Sequence, residues 1–107
     1  MVRGEVFRLP APSNARGNEQ AGARWGVIVQ ADAFLGLSTV LVAPTSTAAR
    51  AATFRPVIDL DGTLTRVLVE QTRAIDPGRL GGSAGRLSSS ELAGVDEALS
   101  LILAFDL

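Results

Sequence analysis

Asn18-Glu19-Gln20-Ala21-Gly22-Ala23-Arg24-Trp25-Gly26-Val27-Ile28-Val29-Gln30 changes character halfway along. Its first half closes a polar segment with Pro, Ser, Asn and Gly, Ala11 to Ala23. Its second half is a run of apolar residues with a β-branched centre. The spacing predicts a long loop followed by a strand, Arg24 to Gln30, buried at its middle. A loop of about 13 residues exceeds an ordinary hairpin connection, and loops of that length in compact domains tend to carry function. Here an acid, two amides and an arginine are delivered to the mouth of a rigid element.

The flanks extend the β reading. Gly4 to Leu9 alternates at Glu5, Val6, Arg8 and Leu9 and is stopped by Pro10 and Pro12, which predicts a first strand. After a short turn, Ser38 to Ala43 predicts a third strand, ended by Pro44, with Thr45-Ser46-Thr47 just beyond it. Thr53 to Leu60 and Leu64 to Glu70 read as strands four and five, joined by the two-residue turn signal Asp61-Gly62. Glu70-Gln71-Thr72-Arg73 is expected to continue strand five. Asp76-Pro77-Gly78 and Gly81-Gly82-Ser83 are turns, and Arg86-Leu87 borders a brief sixth strand. Ser88-Ser89-Ser90-Glu91 is a capping box. A helix to about Phe105 follows, with Leu92, Val95, Leu99, Ile102 and Leu103 on one face. Five or six short strands and one C-terminal helix predict a small twisted barrel or half-barrel, mainly β, in one domain spanning 1–107.

The absences narrow the chemistry. The chain has no Cys, His, Tyr or Lys, so thiolate nucleophiles, disulfides and histidine acid–base or metal chemistry are excluded. All ten basic residues are Arg, the side chain suited to forked contacts with phosphate. Net charge is only −1, yet residues 1–90 hold every Arg and seven acids, whereas residues 91–107 hold four acids and no Arg. The body is mildly basic and the tail acidic, which places an anionic ligand on the body. No stretch has the length or apolarity of a spanning helix, and no targeting segment is visible; a soluble, cytoplasmic protein is expected.

Several side chains admit two readings. Arg24 is either an ordinary surface arginine or a guanidinium fixed at a strand edge, able to stabilise charge on a phosphoryl group. Thr45, Ser46 and Thr47 are either turn formers or the source of a hydroxyl beside Arg24. Asn18, Glu19 and Gln20 are either solvated loop residues or readers of unpaired bases, with Gln71 and Arg73 able to join the same face. Trp25, the single Trp, is either core or a stacking platform. No P-loop or dinucleotide fingerprint is present, and Gly81-Gly82 reads as a turn.

Arg3-Gly4-Glu5-Val6-Phe7, followed by Gly17-Asn18-Glu19-Gln20-Ala21-Gly22-Ala23-Arg24, resembles the MazF/PemK toxins of bacterial toxin–antitoxin pairs. Val27 to Asp32 is similar to that family's second strand, and Thr39 to Ser46 to its third. Val69-Glu70-Gln71-Thr72-Arg73-Ala74-Ile75-Asp76 is similar to a Glu-Gln-(Ile/Thr)-Arg segment, and Val95 to Leu99 to the C-terminal helix. The resemblance runs nearly end to end. It implies an SH3-like barrel of the MazF/PemK/CcdB type and a homodimer. It also implies a sequence-specific, metal-independent endoribonuclease without cofactor, acting on single-stranded RNA, with mRNA, rRNA and tRNA as possible targets. A cognate antitoxin is the implied partner. The family's arginine falls on Arg24 and its active-site Thr on Ser46, with Thr45 and Thr47 as substitute hydroxyls. Asn18, Glu19, Gln20, Trp25, Gln71 and Arg73 are the implied RNA-binding residues. Trp25 departs from the family's usual Pro. Alternative functions on the same barrel are a non-enzymatic gyrase inhibitor of the CcdB kind and an inactive, antitoxin-binding homologue.

Overall fold

A computed structural model describes residues 1–10 and 24–105. Among them are β1 (Glu5–Arg8), β2 (Trp25–Ile28), β3 (Val40–Ser46), β4 (Val57–Leu60), β5 (Thr63–Val67), β6 (Arg73–Ile75) and β7 (Ser83–Arg86), then α1 (Ser89–Leu103). Every strand pairing is antiparallel, in the spatial order β4-β5-β3-β2-β1-β7, with β6 pairing β3 off that path. The mainly-β chain with one C-terminal helix is as expected; three of its connections are not.

The centre of the sheet is buried on both faces, which explains its unbroken apolar runs. Successive strand residues point to opposite sides. Val27 and Ala43 therefore join Val6, Ile58, Val67, Val69, Val95 and Ala98 in a core that includes α1. Ile28, Val40 and Val42 join Leu9 and Ile75 on the other side. Gly26 lies between Val42 and Leu9. A Cβ at this position would stand 2.5 Å from Val42 Cγ1 and 2.9 Å from Leu9 Cδ2. The glycine is required by packing.

Strand three does not end at Pro44. It runs to Ser46 and changes partner there: Val40, Leu41 and Val42 pair with β6, whereas Thr45 and Ser46 pair with β5. Pro44 O accepts from Leu68 N–H at 2.8 Å, but Pro44 has no N–H to return. Leu68 O accepts instead from Gln71 N–H at 2.9 Å. The expected continuous strand Leu64 to Arg73 is accordingly broken into β5, a 3-10 turn at Val69–Gln71 and β6. Strand four is also shorter than expected. Arg55 N–H bonds Ala52 O at 3.0 Å, holding Thr53 to Arg55 in a turn, and β4 begins after Pro56. The Asp61-Gly62 turn is as expected. Leu60 faces Thr63, and φ is positive at both turn residues, 53° and 86°, as a type I′ hairpin demands.

The capping box forms. Ser88 Oγ accepts from Glu91 N–H at 3.1 Å, and Glu91 Oε1 accepts from Ser88 N–H at 2.9 Å. Glu91 Oε2 also accepts from Asp59 N–H at 2.7 Å, which ties the helix start to β4. Val95 and Ala98 are buried, but Ile102 and Leu103, expected on the same face, are 40% and 53% exposed. The helix packs on β4 and the Val69–Gln71 turn, and its last turn extends beyond them. At the other end Arg3 fastens three elements. Its amide donates to Asp32 Oδ1 (2.6 Å), its Nε to Val29 O (2.8 Å), and its Nη2 pairs with Asp96 Oδ1 of α1 (2.6 Å).

Gly26→Ala is expected to destabilise the fold by about 1–3 kcal/mol through overpacking, read from the midpoint of urea unfolding. The bonds from Asp59 and Ser88 hold the Glu91 carboxyl below its ordinary value of 4.5. Its contribution is therefore fully present above pH 4.5 and is lost as pH falls through the lowered folded value. Glu91→Gln should lower Tm at pH 7, and the gap to the unaltered protein should narrow on acidification below that value.

Candidate functional site

The register of β2 and β3 sets the geometry. Ile28 faces Val42, Val27 faces Ala43 and Gly26 faces Pro44. The same register continued places Trp25 opposite Thr45 and Arg24 opposite Ser46. A bond from Thr45 Oγ1 to Trp25 O, 2.9 Å, holds the strands together at that end. Across the other edge of β3, Ser46 is the register partner of Arg66 on β5. Ser46 and Arg66 thus form a row over two neighbouring strands, and Arg24, immediately before β2, continues it on the register extended past Gly26 and Pro44. Directly opposed residues present their side chains to the same face, with neighbouring strands about 4.8 Å apart.

Seven of the ten expected residues lie among the described ones. Arg24 is partly buried immediately before β2, and its carbonyl accepts from Leu9 N–H at 2.8 Å. Ser46 ends β3; its Oγ accepts from Ala48 N–H at 3.1 Å, a local turn bond that leaves the hydroxyl hydrogen available to donate. Thr45 has given its hydrogen to Trp25 O. Thr47 is exposed, one residue past the strand. Trp25 is partly buried and packs against the α1-side core, which fits the first of its two readings. Arg73 is exposed on β6 opposite Val42, on the Ser46 side of β3 and four residues along, about 13 Å by strand rise. Gln71 is exposed at the end of the 3-10 turn that follows Leu68. Asn18, Glu19 and Gln20 lie outside the described residues.

Sequence reasoning missed Arg66 and its bracing. Arg66 Nη1 donates to Arg55 O at 3.0 Å. Arg55 in turn directs Nε and Nη2 to Glu70 Oε2, 2.9 and 2.7 Å, and Nη1 to Arg50 O at 3.2 Å. The ion pair is partly buried, with both side chains about four-fifths covered (23% and 22% exposed). It joins the segment after Ser46 to the 3-10 turn bearing Gln71. The available signal was the strand alternation of Thr63 to Val67 combined with a correct end for strand three. Among the described residues no group of three or more acidic, His or Cys side chains is close enough to hold a metal ion. None of their helices is long and apolar enough to cross a membrane.

Such a row can grip an anion: a hydroxyl donor stands between two guanidinium-bearing positions, on strand ends rather than on a loop. Comparisons with known proteins agree with the architecture. The family model described as the PemK-like, MazF-like toxin of type II toxin–antitoxin systems matches residues 2–103. A Mycobacterium tuberculosis (strain ATCC 25618 / H37Rv) protein named "Putative toxin Rv3098A" is 43% identical over 75 residues, 70% of each chain. A mycobacterial endoribonuclease solved with its cognate antitoxin superposes with a TM-score of 0.81 at 18% identity, covering 100% of this chain and 98% of that one. The M. tuberculosis toxin MazF-mt6 gives 0.76 at 22% identity, covering 98% and 100%. These two likenesses establish the fold.

Thr45→Val should cost about 0.5–1.5 kcal/mol, because it removes a partly buried bond while preserving shape, and Thr45→Ser should retain most of the stability. Denaturant unfolding of both variants measures the difference.

Proposed function

From this chain's membership of the PemK-like, MazF-like toxins of type II toxin–antitoxin systems, we propose that it is an endoribonuclease that cuts single-stranded RNA. What supports the reading is the pairing of β2 with β3, whose register, continued two positions past Gly26 and Pro44, would set Arg24 against Ser46. RNA contains its own nucleophile, so a protein without His, Cys or Lys suffices. The 2′-hydroxyl attacks phosphorus, the bond to the 5′-oxygen breaks, and the leaving oxygen takes a proton. The products are a 2′,3′-cyclic phosphate and a 5′-hydroxyl. The protein's tasks are to hold the nucleotide in line and to stabilise the charge that builds on the phosphoryl oxygens. Arg24 supplies the cation, and the Ser46 hydroxyl donates to a non-bridging oxygen. Arg73, opposite Val42 on β6, extends the contact along the strand, and exposed Gln71 adds an amide from the neighbouring turn. Asn18, Glu19 and Gln20 complete base selection and substrate contact.

The same reading includes an antitoxin and a second copy of the chain. An extended acidic segment on the row would compete with RNA in a salt-sensitive way. Leu101, Ile102, Leu103 and Phe105 are exposed at the end of α1 and offer apolar surface for a homodimer.

Arg24→Ala should reduce cleavage of a long RNA by at least about 100-fold, the scale of losing one charge-stabilising group, while circular dichroism and Tm stay near those of the unaltered protein. A 2′-deoxy nucleotide at a mapped cut site should abolish cutting there. Continued cutting at that site refutes the 2′-hydroxyl as nucleophile. Retained antitoxin binding without cleavage of any RNA would instead mark an inactive homologue.

A further inference from the structure

Arg66 is the third member of the row, and its setting differs from that of a solvated surface arginine. It is the register partner of Ser46, so its side chain shares that residue's face of the sheet. Two strand spacings separate its backbone from the Arg24 position, about 10 Å, with Ser46 between them. One guanidinium nitrogen, Nη1, is pinned to Arg55 O. That carbonyl is held in turn: Arg55 is fastened by its ion pair to Glu70 and by its amide bond to Ala52 O. Among the described residues no carboxylate pairs with Arg66, while Glu70 already neutralises Arg55. A partly buried cation on the face of Ser46 thus has one donor used for positioning and, among the described residues, no carboxylate partner.

We propose that Arg66 is a second phosphate-binding residue, gripping the RNA backbone on the β5 side of Ser46, and that Arg55 and Glu70 are its positioning residues. The proposal rests on the ribonuclease reading and deepens it: the single strand crosses the row from Arg24 to Arg66 with Ser46 beneath it. Guanidiniums reaching inward from strand positions roughly 10 Å apart can hold two phosphates of one strand. The positive grip contains no sequence information by itself; it fixes register, and loop residues read the bases.

The test is binding of a fluorescein-labelled single strand of random sequence with 2′-O-methyl riboses, which lacks the attacking hydroxyl. Its dissociation constant is measured against salt for the unaltered protein, Arg66→Gln and Arg66→Lys, beside cleavage of a long RNA by the unaltered protein. Loss of one phosphate contact lowers the log–log salt slope by about 0.7 for a single strand, which at 0.1 M salt corresponds to about fivefold weaker binding. Arg66→Gln should show both changes, and Arg66→Lys should keep the slope. An unchanged slope in Arg66→Gln, with RNA cleaved normally by the unaltered protein, overturns the Arg66 assignment and leaves the ribonuclease reading standing. A lowered slope with no cleavage by the unaltered protein keeps the grip and overturns the reaction. No binding and no cleavage overturns both. Should Arg66→Gln unfold, phenylglyoxal modification of the unaltered protein decides the matter: the same strand must protect Arg66 and not exposed Arg50, and equal modification of Arg66 with and without it refutes the proposal.

Discussion

The one-sided hydrogen bond at Pro44 determines how the rest of the sheet is arranged. Its carbonyl takes the Leu68 N–H, and its ring nitrogen returns nothing. A reciprocal pair would have let strand five continue alongside β3. With Leu68 O released, the chain turns at Val69–Gln71, and β3 acquires two partners on one edge, β6 along its first half and β5 along its end. The loss of a ladder bond thus allows one strand to face three others and to curl the sheet. Proline inside a strand is tolerated here because its nitrogen points to the place where pairing changes hands.

The β2 edge of β3 is undisturbed, since Gly26 and Pro44 are opposed without needing the missing N–H: the neighbouring Val29 N–H to Leu41 O bond shows that the odd-numbered β3 residues make the bonds to β2. Thr45 adds its side chain to that edge. Both sides of the strand end are therefore tied, to β2 through Thr45 and to β5 through Ser46. Side chains there are placed by backbone, and preorganised groups are what charge stabilisation requires.

Much of this was legible in the sequence, and the failures share a cause. Strands β1 and β2, the Asp61-Gly62 hairpin and the Ser88–Glu91 cap are specified by local chemistry, and local reasoning found them. Pro44 was read by its usual effect, as a strand end. Whether a proline ends a strand depends on which neighbour its nitrogen faces, a property of the sheet and not of the segment. That one error displaced Thr45 and Ser46 from strand to loop, ran β5 through the turn at Val69–Gln71, and hid Arg66 as the neighbour of Ser46. The overlong apolar face of α1 has a related origin. Periodicity identifies a face but cannot tell how far the surface beneath it extends, and Ile102 and Leu103 lie past it. Arg55 and Glu70 are fifteen positions apart in sequence, with nothing in either segment to announce the other.

The β4–β5 hairpin has a consequence for how such a chain can diversify. It is closed on itself by four register pairs and a turn whose residues, Asp61 and Gly62, are fully outside the core. Among the described residues its register pairs with the rest of the sheet are those of Thr45 and Ser46, while Ile58 and Val67 reach into the α1-side core and the amide of Asp59 ties it to the helix. A unit with so short a seam can change at its turn and on its outward face while Ile58 and Val67 keep the core filled. Arg66 lies on this hairpin, whereas Ser46 ends β3 and Arg24 immediately precedes β2. Descent can then vary one end of the row while the other end is inherited unchanged.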